Sequence, residues 1–180
     1  PPAADAGGAL DACAAGVSAG GDICLALTAN SEVLVLGAAK VDARQKLAFD
    51  ATCLAVAPSG ASVAVGSSDH TVWLYAPAAG GELTNERALA GHKGPITCAA
   101  FSTDSIKLAT GSAAKEIIVW EAASGAPLVT GLNGYHTSSV RCLAWSSAGR
   151  LASGGVDGSL VLWTQEGTKV GTKVSNAHAG

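Results

Sequence analysis

His136, Ser153 and Asp157 are the residue types of a hydrolase triad: an imidazole base, a hydroxyl nucleophile and a carboxylate that orients the base. They fall in one stretch, Tyr135 to Trp163, which reads as three short apolar runs separated by Gly, Ser and Asp turns. Two features argue against catalysis. A nucleophilic serine usually sits on a sharp exposed turn of the form Gly-x-Ser-x-Gly. Ser153 is not in such a sequence; it lies inside a strand candidate between Ala152 and Gly154. In addition, much of the set recurs: His92, Thr110 and Trp120 repeat the spacing, with Thr110 and Ser153 each ten residues before a tryptophan. A catalytic site is not expected to recur repeat by repeat, whereas a structural network is.

Other chemistry is sparse. The Gly80-Gly81 and Gly154-Gly155 pairs lack the following Lys-Ser/Thr of a phosphate loop and read as turns. No Cys-x-x-Cys or Cys/His cluster points to a metal, and no cofactor motif is present, so no catalytic, cofactor or metal residues are assigned. His70 reads as a solvated turn residue, and Trp73 and Trp145 as packing between units. Cys53, Cys98 and Cys142 lie 45 and 44 residues apart and mark one repeated strand position. A buried unpaired thiol is the ordinary reading of such a position, with disulfide and metal roles as the alternatives. That reading places the chain in a reducing, intracellular compartment.

The chain has 180 residues, 14% charged and 4% aromatic, with 23 glycines. Few charges and many small residues suit strands and tight turns. A net charge of −3 argues against the basic stripe of a nucleic-acid partner and against a polybasic membrane patch. No apolar run approaches the roughly 18 residues that suggest a membrane span. The first twenty residues lack the basic and apolar regions of a signal peptide. The chain neither begins with Met nor contains one, so it is expected to be a piece of a longer protein or the product of an incomplete gene model.

The elements that must position these residues are short strands. Residues 1–22 read as a low-complexity, Ala/Gly-rich entry segment or as a diverged part of a repeat. Residues 23–50, with strand candidates Ile23–Leu27, Glu32–Leu36 and Gln45–Phe49, form an incomplete, diverged unit. Three clear units follow at 51–90, 91–134 and 135–176, and 177–180 opens a further, truncated one. His92, His136 and His178 are 44 and 42 apart, and Tyr75, Trp120 and Trp163 are 45 and 43 apart. A period of about 40–45 residues with four strands per unit predicts an all-β, partial β-propeller of four-stranded antiparallel blades.

Gly91-His92 … Trp120 and Tyr135-His136 … Asp157 … Trp163 resemble the WD-repeat family, whose units open on Gly-His and close the third strand on Trp-Asp. Glu121 and Thr164 replace that last Asp. Within the family, Val63–Gly66, Lys93–Thr97, Cys142–Ser146, Ala152–Asp157 and Asn176–His178 resemble, in that order, the last blades of the actin-interacting members. The resemblance implies a scaffold of two seven-bladed propellers without an active site. It further implies a cytoplasmic, cytoskeletal protein that binds actin filaments with cofilin and promotes their disassembly. The alternative is a general WD-repeat adaptor in another complex. With three clear units the chain is not expected to close a ring by itself.

The resemblance also implies that His136, Ser153, Asp157 and Trp163 hydrogen-bond as a brace, as do His92, Thr110 and Trp120. Ala114 stands where the 135–176 unit has Asp157. The 51–90 unit keeps Asp69 but has Val65 and Tyr75 at the Ser/Thr and Trp positions. Partner contacts are expected on the loops before each first strand and between the second and third strands, where His70, Lys93, Lys115 and Glu116 fall.

Overall fold

A computed structural model describes residues 14–17, 24–36, 41–78, 82–130, 132, 134–164 and 170–175. Its sixteen strands form four four-stranded antiparallel sheets. Sheet I holds β1 (Ala14–Val17), β2 (Cys24–Leu27), β3 (Glu32–Leu36) and β4 (Val41–Lys46). Sheet II holds β5 (Ala51–Val56), β6 (Val63–Ser67), β7 (Val72–Pro77) and β8 (Leu83–Leu89). Sheet III holds β9 (Ile96–Phe101), β10 (Lys107–Ser112), β11 (Ile117–Glu121) and β12 (Pro127–Val129). Sheet IV holds β13 (Val140–Trp145), β14 (Leu151–Gly155), β15 (Leu160–Trp163) and β16 (Val170–Val174). Each is a meander in which successive strands pair.

Sheet I corrects two expectations. The 23–50 unit is not incomplete: β1 falls in the segment read as a leader and pairs with β2 from Ala14↔Leu27 to Val17↔Cys24. Its Ala/Gly composition carries almost no strand propensity, so pairing rather than propensity defines it. The outer strand is Val41–Lys46, earlier than Gln45–Phe49. Leu47 instead packs into the core between sheets I and II, with Phe49 against its edge. The expected start of a further unit at 177–180 lies outside the described residues.

Short strands of alternating apolar residues can bury their faces only against another sheet. Leu25, Leu27 and Val33 of sheet I meet Leu54, Val63, Val65 and Tyr75 of sheet II. Cys53, Ala64, Val72 and Leu74 on the other face of sheet II meet Ile96, Leu108, Ile118 and Trp120. Cys98, Ala109, Ile117 and Val119 meet Val140, Leu151, Val161 and Trp163. Polar clamps join neighbours: the Gln45 amide both donates to Leu83 O (3.1 Å) and accepts from Leu83 N (2.8 Å). Arg87 donates to Ala123 O (2.7 Å), and Trp145 Nε1 to Ala100 O (3.0 Å). Trp73 stacks on Phe49 at 5.3 Å, with planes 16° apart.

The three repeated cysteines share one geometry. A register shift after the first residue of β5 and β13, and its counterpart in the β9–β10 pair, sets Cys53, Cys98 and Cys142 opposite Gly66, Gly111 and Gly154. A Cβ on Gly66 would lie 2.6 Å from Cys53 Sγ and 2.6 Å from Ile96 Cγ2. On Gly111 it would lie 2.7 Å from Cys98 Sγ and 2.8 Å from Val140 Cγ1. The glycine leaves a notch beside the thiol, and the first residue of the next sheet fills it. Burial pushes the Cys53 thiol up to about 11 and the Cys98 thiol up to about 12, so both stay protonated.

Gly111→Ala is therefore expected to destabilise by about 1–3 kcal/mol, because both neighbours are packed and buried. Gly154→Ala meets only Cys142 and the tip of Leu160, both exposed and able to shift, and is expected to cost less. Urea denaturation of the two variants checks the order.

Candidate functional site

The residues of the apparent triad converge, and their bonding is specific. Ser153 lies on β14, Trp163 ends β15, and His136 precedes β13. Trp163 Nε1 donates to Ser153 Oγ at 2.9 Å, and Ser153 Oγ lies 2.8 Å from His136 Nε2. His136 Nδ1 lies 3.2 Å from Asp157 Oδ1. Since the carboxylate can only accept, Nδ1–H donates to it, and in the neutral ring Nε2 then accepts a hydrogen bond from the Ser153 hydroxyl. Asp157 also takes loop and turn donors: Thr137 N donates to Oδ2 at 2.7 Å, with the Thr137 hydroxyl at 3.4 Å, and Ser159 N donates to Oδ1 at 3.0 Å. Burial works against the ionised carboxylate, but the two N–H groups and the His136 ring outweigh it and hold Asp157 down at about 2. A Cβ on Gly155 would sit 2.5 Å from His136 Nδ1 and 2.6 Å from Asp157 Oδ1, so the imidazole needs glycine there.

The order Ser–His–Asp matches that of a hydrolase relay, but access differs. Ser153 is 1% exposed and its oxygen is already bonded to both tryptophan and histidine. A nucleophile needs a free lone pair facing a reachable carbonyl. Ser153 instead ties the middle strands to the loop that opens the sheet.

Sheet III repeats the chain of bonds with a different carboxylate. Trp120 Nε1 donates to Thr110 Oγ1 at 2.8 Å, and Thr110 Oγ1 lies 2.7 Å from His92 Nε2. Ala114 occupies the Asp157 position, but Glu116, two residues on, reaches back so that Lys93 N donates to its Oε2 at 2.9 Å. Lys93 is the counterpart of Thr137, so the same backbone amide is held in both sheets. Glu116 was expected on the contact rim; it is instead 7% exposed, because its longer chain folds inward to take that amide. Its reach to the ring is incomplete: His92 Nδ1 lies 3.8 Å from Glu116 Oε2 and has no hydrogen-bond partner. Burial pushes the His92 imidazole down to about 4, against the pull of Glu116.

Sheet II replaces the polar chain with an apolar one. Leu47, Val65 and Tyr75 stand at the His, Ser/Thr and Trp positions and pack in one cluster. Asp69 is exposed and its Oδ1 accepts from Thr71 N at 3.0 Å, which closes its own turn instead of joining a chain to the loop. Leu47 as the counterpart of His92, and Glu116 as a member of the brace, were not identified from the sequence. The 45-residue period would have found Leu47, which lies 45 residues before His92; the brace role of Glu116 has no positional signal.

Of the remaining contact candidates, His70 and Lys115 are exposed in turns at φ 75° and 70°, where sheet IV has Gly158 at 69°. The Lys93 side chain is 79% exposed, with Nζ 3.6 Å from Glu116 Oε1. Among the described residues no group of three His, Cys, Asp or Glu is placed to hold a metal ion.

Known proteins share this pattern. The WD domain, G-beta repeat family matches residues 48–75, 83–121 and 127–164, more than half of the chain. The 66 kDa stress protein of Physarum polycephalum is 32% identical over 165 residues, covering 91% of this chain and 27% of that protein. WD repeat-containing protein 1 of Bos taurus is 37% identical over 131 residues, 72% of this chain and 21% of that protein. Actin-interacting protein 1-2 of Arabidopsis thaliana is 31% identical over 140 residues, 77% of this chain and 23% of that protein. The chain thus spans about a quarter of the length of the curated relatives it matches.

Removing either carboxylate takes the acceptor from a loop amide, and removing Asp157 also strands the buried Nδ1–H of His136. Asp157→Ala and Glu116→Ala are each expected to cost about 1–3 kcal/mol in urea melts, and Asp69→Ala under about 1 kcal/mol. The pH dependence follows from His92. Its folded value, about 4, lies below the ordinary 6.5. As pH falls, the unfolded chain takes up the proton first. The stability tied to neutral His92 is complete above about pH 6.5 and is lost towards pH 4. His92→Gln is expected to flatten that part of the stability curve, as read by thermal melts across the window.

Proposed function

The chain belongs to the WD-repeat family, and on that premise we propose that it acts without catalysis, as part of a protein-interaction scaffold directed at actin. The observation that carries this reading is its similarity, over about three quarters of its length, to proteins named for interaction with actin. The buried Ser153, with its oxygen already engaged, supports a scaffold over a hydrolase. In the fuller form of the reading, the polypeptide carrying these repeats binds filaments together with cofilin, promotes their disassembly, and resides in the cytoplasm with the cytoskeleton.

His70, Lys93 and Lys115 are the side chains proposed for contact. Proximity supports grouping them. Ala113 N donates to Pro95 O at 2.8 Å, which joins the β10–β11 turn to the loop that carries Lys93. Glu116 is withdrawn from this surface and serves the brace.

Co-sedimentation with actin filaments, with and without cofilin, tests the proposal. The expected result is pelleting with filaments, reduced at least about fivefold by Lys93→Glu with Lys115→Glu, a loss equivalent to about 1 kcal/mol. Binding unchanged by both reversals would exclude this surface. No pelleting under either condition would favour an adaptor in another complex.

A further inference from the structure

Sheets III and IV differ at one place that the brace does not explain. In sheet IV the ring of Tyr135 stands edge-on against Trp163, with centroids 5.2 Å apart and planes at 86°. Lys173, opposite Val161 in the β15–β16 ladder, holds the Tyr135 carbonyl through Nζ. In sheet III the residue before the histidine is Gly91, and the counterpart of Lys173 is Thr130, one residue beyond the Val119↔Val129 pair. Both side chains that close this corner in sheet IV are therefore shortened in sheet III. A pocket of about 290 Å³ occupies the corner, lined by Gly91, Lys93, Glu116, Ile118, Trp120 and Thr130.

We propose that this pocket binds a tyrosine side chain presented by a partner protein, in the way that Tyr135 sits on Trp163 within the chain itself. Three observations support that ligand. The internal repeat provides the template: the same fold, at the same register, accommodates a tyrosine ring edge-on to the tryptophan, an arrangement favoured by the ring quadrupoles. The base is apolar and close, since a Cβ on Gly91 would lie 3.1 Å from Trp120 Cη2 and 3.4 Å from Ile118 Cδ1. Lys93 and Glu116 also line the pocket, Lys93 exposed and Glu116 drawn inward with Oε1 3.6 Å from Lys93 Nζ, so a phenol hydroxyl that reaches this pair meets a donor and an acceptor. A few convergent polar groups over an apolar base are the usual make-up of a specific pocket. Among the described residues the chain's own tyrosines are committed: Tyr75 is buried in the core between sheets I and II, and Tyr135 is on Trp163. The ligand is therefore neither of these two tyrosines. This inference is independent of actin, and its test uses none.

The test titrates N-acetyltyrosinamide into the whole chain and follows the Ile118 δ1-methyl and Gly91 amide signals by NMR. A saturable shift in the millimolar range is expected, with N-acetylleucinamide at least about tenfold weaker. Gly91→Tyr should fill the pocket from within and weaken binding at least about tenfold. Tyr135→Gly should open the matching corner of sheet IV and add a second saturable response at the Val161 methyls. The proposal is overturned by no saturable shift, by leucine binding as well as tyrosine, or by a folded Gly91→Tyr chain that binds unchanged. Should Gly91→Tyr fail to fold, the Tyr135→Gly arm decides: no response at Val161 overturns it.

Discussion

A branched side chain seated in a notch that only glycine leaves open fixes how sheet II meets sheet III and how sheet III meets sheet IV. Ile96 fills the notch beside Gly66 and Cys53, and Val140 the one beside Gly111 and Cys98. The seat sits where the register shifts at the start of the first strand, so it fixes the depth to which one sheet slides against its neighbour. The tryptophans, the outer clamps and the loops take their positions from that depth. Gly154 and Cys142 form the same notch in sheet IV, where the far face keeps Cys142, Leu160 and Leu162 exposed.

The brace solves a second problem, that of holding a loop against a sheet edge. A chain of bonds from indole to hydroxyl to imidazole to carboxylate ends on a backbone amide, that of Lys93 or Thr137. Three solutions coexist in one chain. Sheet IV uses the short Asp157 with Gly155 beneath the ring. Sheet III uses the longer Glu116 and leaves the Nδ1 of His92 unbonded. Sheet II dispenses with polarity and packs Leu47, Val65 and Tyr75. A buried polar chain is favourable only when complete, which explains why sheet II changes all three residues together.

Much of this was legible in the sequence, and the failures have physical causes. Periodicity of the cysteines and of the aromatics that end the third strands located sheets II to IV, and recurrence of His, Ser/Thr and Trp located the brace of sheets III and IV, because those residues sit where the geometry repeats. β1 escaped notice because an Ala/Gly strand is defined by its partner across the ladder. The last strand of sheet I was displaced because the apolar Leu47 and Phe49 belong to the core between sheets and not to a strand. Glu116 was assigned to the surface because charge predicts exposure, and sequence position does not report that a side chain one methylene longer can reach the same amide from two residues away. Asp69 matched the motif position, but without a histidine beside it the carboxylate turned to its own turn.

The central claim is that these carboxylates hold the loop backbones in place. Hydrogen exchange of the Lys93 and Thr137 amides tests it most directly, because both lie in surface loops and each donates to a single carboxylate oxygen. Strong protection of both, lost at Lys93 in Glu116→Ala and at Thr137 in Asp157→Ala, is the predicted result. Exchange of both amides at the rate of free loop amides in the unaltered chain would contradict the account.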